Sequence, residues 1–227
     1  MHFFSIFVVA VLCAISCMTV MAKNVDTAET ITHLQRQYTE LEGFAADFEQ
    51  TLKHKESGTV EKRKGTLLFQ KPFLVRWTTG KPHHETLVIT DREIWDYLPD
   101  EELAYRYPLS MVQDSRNIIQ VITGQAALTQ DFDVMADGEE ENFIRLKLYP
   151  REPGPQIVEA LIWTDKAGGY IRRAEITDFY GNKNEVRFTS FNSQKSFKAN
   201  DFSFTPPKGI EVEDHTKKEK QVRQLFK

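Results

Sequence analysis

The sequence predicts an α+β protein: one strongly curved antiparallel sheet of about eleven strands with helical segments over its concave face. Three observations predict it. Apolar and polar residues alternate with a period of two through most of the chain after Gly43. Turn chemistry breaks that alternation at short intervals, at Lys71-Pro72, Asp91-Arg92, Pro99-Asp100, Asp137-Gly138, Gly168-Gly169 and Gly181-Asn182. Only two stretches, Asp26 to Leu41 and Ser110 to Thr129, change to helical spacing.

Composition sets the outer limits. The chain has 227 residues, of which 41% are apolar and 27% charged, enough for one core and too apolar for long disorder. Its 29 Lys and Arg against 33 Asp and Glu leave a net charge of -4, which argues against a nucleic-acid partner.

The elements follow in order. Phe3 to Ala22 holds no charge and ends in short residues, the pattern of a secretory signal peptide over 1–22 cleaved before Lys23. Two alternatives stay open for this segment. Ala14-Ile15-Ser16-Cys17 resembles a lipobox with Cys17 as the lipidated residue, and the apolar run is long enough for an uncleaved anchor. Cleavage after Ala22 removes both Cys13 and Cys17, and about 200 residues can bury a sufficient core without disulfides.

Between Asp26 and Leu41, Ala28, Ile31, Leu34, Tyr38 and Leu41 recur every three or four residues, with Gly43 as the expected left-handed terminator. Strands are expected over 44–53, 59–70, 73–79, 85–90, 93–98, 102–107, 131–136, 142–149, 158–164, 171–179 and 184–192. Short connections make sequential strands antiparallel neighbours, and so long a meander must curl. In the interruption, Ile118, Ile119, Ile122, Ala126, Ala127 and Leu128 sit on helical spacing, with Asp114 or Ser115 as cap and Gly124 as a break. A single domain over 23–214 results, and 215–227 is a basic tail carrying Lys217, Lys218, Lys220, Arg223 and Lys227 against Glu219.

Catalytic signatures are missing: no Gly-x-Ser-x-Gly elbow, phosphate loop, dinucleotide fingerprint or His-Glu-x-x-His helix occurs. His83 and His84 are adjacent and so diverge, and the acidic run from Asp131 to Glu141 has the wrong ligand spacing for calcium, so a charged turn is expected there. No enzyme, metal or cofactor is expected.

The chain is instead rich in inward-facing candidates. Phe73, Val75 and Trp77 share one strand face, with Leu74 and Arg76 on the other; Trp95 and Tyr97, Leu161 and Trp163, and Phe188 alternate likewise. With Phe48, Phe69 and Ile89 they are the candidate walls of an apolar cavity, although periodicity gives a residue's face and not what covers it.

Four segments carry a resemblance. Phe44 to Gln50 reads Phe-Ala-Ala-Asp-Phe-Glu-Gln, Gly65 to Pro72 reads Gly-Thr-Leu-Leu-Phe-Gln-Lys-Pro and is followed by Arg76-Trp77, Asp91 to Pro99 reads Asp-Arg-Glu-Ile-Trp-Asp-Tyr-Leu-Pro, and Asp201 to Val212 contains Phe-Ser-Phe-Thr-Pro-Pro-Lys-Gly-Ile. Together, in this order, they resemble the periplasmic lipoprotein carrier family LolA. The resemblance implies an incomplete, strongly bent antiparallel β-barrel with helices closing its mouth, and no catalysis. It implies a monomeric periplasmic carrier that takes lipoproteins by their acyl chains from an ATP-driven (ABC-type) inner-membrane extractor and releases them to an outer-membrane acceptor. Alternatives on the same fold are the anchored acceptor itself, lipidated at Cys17, and a stress sensor binding lipid or peptide. Leu34, Leu41, Ile118, Ile119 and Ile122 become lid candidates. Lys71 stands where the family carries an Arg that bonds lid carbonyls, and because Lys lacks the rigid five-donor fork of Arg the resemblance implies a weaker latch.

Overall fold

The computed structural model of the chain describes residues 26–113, 117–152, 154–193 and 196–216. The expected leader, Cys17, the caps Asp114 and Ser115, and the tail from Lys217 lie outside the described residues.

Helix α1 (Thr27–Glu40) begins where Asp26 accepts from the backbone N–H groups of Ala28 and Glu29, a local bond that satisfies two otherwise unpaired donors. It buries Ile31, Leu34 and Tyr38. Gly43 does not terminate it. Leu41 caps the helix in an extended conformation, and Gly43 opens the first strand, where a Cβ would lie 2.5 Å from the Phe69 carbonyl oxygen.

The strands are β1 (Gly43–Lys53), β2 (Val60–Gln70), β3 (Leu74–Thr79), β4 (Glu85–Ile89), β5 (Glu93–Leu98), β6 (Leu103–Pro108), β7 (Phe132–Glu140), β8 (Phe143–Pro150), β9 (Glu159–Asp165), β10 (Ile171–Thr177), β11 (Lys183–Phe188) and β12 (Glu211–Asp214). Eleven of these lie where alternation puts them. The twelfth, β12, is an addition: it pairs parallel to β6, with Glu211 opposite Leu103. The Asp137-Gly138 turn is also corrected, because β7 runs on through a register shift to Glu140.

All strands form one sheet in the order β12-β6-β5-β4-β3-β2-β1-β11-β10-β9-β8-β7. It is a curved and unclosed sheet, with β12 and β7 as its free edges. The meander of β1 to β11 breaks once. β6 and β7 do not pair; the two runs of strands are joined through β1 and β11, with Phe48 opposite Phe188. Between β6 and β7 lie α2 (Ser110–Gln113), α3 (Ile118–Ile122) and α4 (Leu128–Asp131). Asn117, rather than Asp114 or Ser115, caps α3 by accepting from the N–H of Gln120.

The concave face and the helices bury one continuous core, in which Phe44, Phe48, Phe69 and Phe132 are completely enclosed. Each such ring contributes roughly 1.5–3 kcal/mol by leaving water. A second, smaller core on the convex face holds Val88, Trp95 and Ala104 under Phe204 and Ile210. Arg76 fastens that cover, donating to the carbonyls of Asp201 at 2.7 Å and Ser203 at 2.5 Å.

A covered apolar face as the candidate functional site

The concave site is assembled from sheet register. Phe69, Val75, Ile89 and Ile94 lie opposite one another across β2, β3, β4 and β5, and Leu67, Trp77 and Leu87 form the next row. Pairing of β1 with β11 brings Phe48 and Phe188 beside them, and the Phe48 and Trp77 rings approach to 3.9 Å. Six expected wall residues, Phe48, Phe69, Val75, Trp77, Ile89 and Phe188, therefore share one buried cluster, and Phe73 packs against it.

Four others are corrected. Trp95 and Tyr97 face the convex side, where both rings pack on Phe204 at 5.6 and 5.4 Å. It is their neighbour Ile94 that points inward. On β9 the inward residues are Ala160 and Ile162, so the alternate positions Leu161 and Trp163 lie on the other face. Trp163 is buried there by polar partners: its indole N–H donates to Glu140 at 2.8 Å, and the Arg173 guanidinium stacks 3.9 Å from its ring centre. An aromatic residue needs only a covered surface with a partner for its N–H, and both faces of this sheet supply one.

The five lid candidates pack into the same cluster as the wall. Leu34, Leu41, Ile118 and Ile122 are buried in it and Ile119 is partly buried against it. Helix α3 lies against β10 and β11, and α4 against β7. Sequence reasoning missed the residue that ties these parts together. The Tyr38 hydroxyl donates to the Ile122 carbonyl at 3.3 Å and accepts from the Ile171 N–H at 3.2 Å, joining α1, α3 and β10 at one buried point. Burial pushes its phenol far above the ordinary range, so it remains a donor. Its place in the helical pattern was legible, but nothing local to Tyr38 reveals partners so distant in the chain. Gln120 adds a tie from α3 to α2, donating to the Val112 carbonyl at 2.8 Å.

Lys71 reaches the first helix from the β2–β3 turn, and its ammonium donates to the Thr39 carbonyl at 2.6 Å. Helix α1 has no basic residue in its own last turn, so Lys71 supplies the positive charge favoured at a helix C-terminus. His83 and His84 turn to separate partners, Glu61 at 3.6 Å and Asp100 at 3.0 Å. The acidic run forms ion pairs: Asp137 with Arg145 at 2.7 Å and Glu139 with Lys166 at 2.5 Å.

A carboxyl with little water around it ends the row of Leu67, Trp77 and Leu87. Asp96 lies opposite Leu87, and its Oδ1 has no hydrogen-bond partner among the described residues. Burial first, then the nearby Glu85 carboxylate, pushes its pKa from 3.8 up to about 6, with Arg63 opposing. A folded-state value above the unfolded one contributes stability below the unfolded value, which is lost as pH rises through about 6. Asp96→Asn is therefore expected to stabilise the protein by about 1–2 kcal/mol near neutral pH, allowing for partial solvation, and to gain nothing near pH 4. Denaturant midpoints at the two pH values check it; a gain confined to the acid side would contradict the assignment.

At one end of the concave face a cavity of about 500 Å³ opens between Leu52, Ile118, Ile176 and Tyr180, with Lys53, His54 and Lys183 on its rim. The remainder of the apolar face is filled by the protein's own helices, so its hydrocarbon surface is stored behind a cover of short, separately anchored pieces. Residues 39–205 match the family described as Outer membrane lipoprotein carrier protein LolA. The chain belongs to the LolA family.

Similarity over most of the chain accompanies that match. The outer-membrane lipoprotein carrier protein of Proteus mirabilis is 25% identical over 204 residues, covering 90% of this chain and 98% of its own. That of Vibrio parahaemolyticus is 28% identical over 173 residues, 76% of this chain and 80% of its own. Among solved structures, an uncharacterized conserved protein from Thermus thermophilus has the same fold, with a TM-score of 0.51 at 15% identity over 83% of this chain and 98% of that one. Carrying lipoproteins is thus the activity that LolA membership assigns.

Proposed function

We propose that this protein is a periplasmic carrier which receives lipoproteins from an ATP-driven inner-membrane extractor, shields their acyl chains on the concave face, and yields them to an outer-membrane acceptor. The observation that carries the reading is the cover: Leu34, Ile118, Val121 and Ile122 occupy an apolar concave surface that a closed barrel would fill from its own wall. An acyl chain gains about 0.8 kcal/mol per CH2 on leaving water, so a dozen such groups amount to roughly 10 kcal/mol. A carrier must recover much of this and still release its cargo. Displacing helices already packed on the face offsets part of the gain, since net affinity is the difference between the two occupants.

The leader over 1–22 would direct the chain to the periplasm and be removed before Lys23, and the tail from His215 would remain a solvated basic end. Native mass spectrometry of periplasmic protein co-expressed with a tagged lipoprotein tests the whole reading. A one-to-one complex on a chain beginning at Lys23 supports it. A chain beginning at lipidated Cys17 would make this the anchored acceptor, and an unliganded chain unable to free lipoproteins from spheroplasts would make it a sensor.

Lys71 enters as the latch between the β2–β3 turn and α1. Lys71→Met keeps the aliphatic stem and removes the charge-assisted bond to Thr39, which is exposed and so stabilises the closed form by about 1 kcal/mol. The expected result is roughly a fivefold tighter hold on lipoprotein with slower transfer to acceptor, because opening becomes easier while the bound form is unchanged. Equal transfer rates for Lys71→Met and wild type would remove Lys71 from the closing device.

A further inference from the structure

The β10–β11 hairpin presents two neighbouring aromatic rings to solvent at the cavity end of the barrel. Phe179 is 72% exposed and Tyr180 74%, the largest exposures among the large apolar side chains described. Their rings meet edge to face at 5.7 Å. The tip is built, not loose. Asp178 donates its N–H to the Asn182 carbonyl at 3.0 Å and accepts from the Asn182 amide at 2.8 Å, while Phe179 N–H is held by the Pro155 carbonyl at 3.0 Å. The neighbouring β1–β2 turn is pinned to it by Lys55 N–H on the Asn182 side chain at 3.0 Å.

Charge beside the tip is biased. Lys53 and Lys55 form no ion pair among the described residues, and the Lys55 stem lies across Gly181. Glu56 in the same turn offsets one of them, Asp178 is occupied by Asn182, and Lys183 is paired with Glu175 at 2.7 Å. The end of the molecule therefore offers two exposed aromatic rings with Lys53 and Lys55 in the adjoining strand and turn, the Lys55 side chain lying against Gly181 beside them. Tyr180 and Lys53 also line the mouth of the 500 Å³ cavity.

We infer that this hairpin is a membrane-contacting tip: Phe179 and Tyr180 enter the headgroup zone of an anionic phospholipid surface, Lys53 and Lys55 meet its phosphates, and the cavity mouth is thereby set against the bilayer. A protruding pair of rings offers far less than the roughly 800 Å² per partner of a stable protein interface, whereas shallow aromatic insertion with basic flanks suits a bilayer surface. Because the tip is already ordered, docking costs little conformational entropy. The purpose of the contact rests on the carrier reading; the contact itself does not.

The test is co-sedimentation of the purified protein with vesicles of phosphatidylethanolamine and phosphatidylglycerol, and with vesicles of phosphatidylcholine alone. Wild type is expected to partition onto the first, with F179S/Y180S roughly tenfold weaker. K53E/K55E should likewise bind the anionic vesicles severalfold more weakly, and undiminished binding would remove the lysines from the contact. Absence of wild-type partitioning, or equal partitioning of F179S/Y180S, overturns the proposal. The same preparations are assayed for co-purified lipoprotein. F179S alone, at a side chain that is 72% exposed and outside the cavity lining, should retain it while binding the anionic vesicles severalfold more weakly. A wild type that holds no lipoprotein defeats the carrier reading while leaving the vesicle result to decide the tip; loss of lipoprotein in F179S with unchanged vesicle binding makes the tip a protein contact and overturns the inference.

Discussion

Trp77→Glu is expected to yield no co-purified lipoprotein and a strongly lowered unfolding midpoint. Trp77 lies between Leu67 and Leu87 in the concave rows, is 6% exposed, and packs on Phe48. Removing a buried Trp costs about 3–5 kcal/mol, and the new carboxyl must be stripped of water or kept protonated at further cost. The sum approaches the total stability of an ordinary domain, about 5–15 kcal/mol. Two companions separate binding from folding. Trp77→Leu keeps the wall apolar and should retain lipoprotein despite a lower midpoint. Trp95→Glu injures the convex core under Phe204 and should lose stability without a specific loss of cargo in the fraction that stays folded. Lipoprotein recovered at the wild-type level with Trp77→Glu would show that acyl chains do not use this face.

The contrast between Trp77 and Trp95 marks how far the sequence could be read. Strand positions were legible because each of β1 to β11 carries its own alternation and its own turn residues, which are local properties. The concave residues of β3 were legible too, since Val75 and Trp77 alternate against Leu74 and Arg76. Which face of β5 turns inward was not. Ile94 and Trp95 are both apolar, and the choice is made by the distant segment around Phe204 that covers the convex side. The same holds for β12, whose Glu-Val-Glu-Asp has no strand signal and is held as a strand by pairing with β6. The join of β1 to β11 and the acceptor of Lys71 are long-range facts of the same kind. The burial of Leu34, Leu41, Ile118 and Ile122 was readable from helical spacing; the knot at Tyr38, which unites α1, α3 and β10, was not.

That knot gives the second large effect. Gly124→Ala is expected to prise the helical cover from the concave face. Gly124 follows the end of α3 at φ +70°, a conformation that costs a residue with a Cβ about 1 kcal/mol or more. The larger cost is steric, because that Cβ would lie 2.2 Å from the Tyr38 ring. A separation far inside van der Waals contact cannot be absorbed by rotamer adjustment, so either Tyr38 or the α3 segment must move. Movement of Tyr38 breaks its bonds to Ile122 and Ile171, leaving the buried Ile171 N–H without its partner for another ~1–3 kcal/mol. The sheet contributes none of the displaced atoms except that N–H, so the damage concentrates on closure. Gly124→Ala should therefore keep its sheet by far-ultraviolet circular dichroism, bind the apolar dye ANS severalfold more strongly than wild type, and hold lipoprotein more tightly with impaired release. Tyr38→Ala in the same background makes room for the new methyl group. It should relieve the clash without restoring closure, so dye binding should remain high in the double variant. Dye binding at the wild-type level in Gly124→Ala, with lipoprotein release unchanged, would mean that the Tyr38 contact does not govern the cover and that opening proceeds from the Lys71 end of α1 instead.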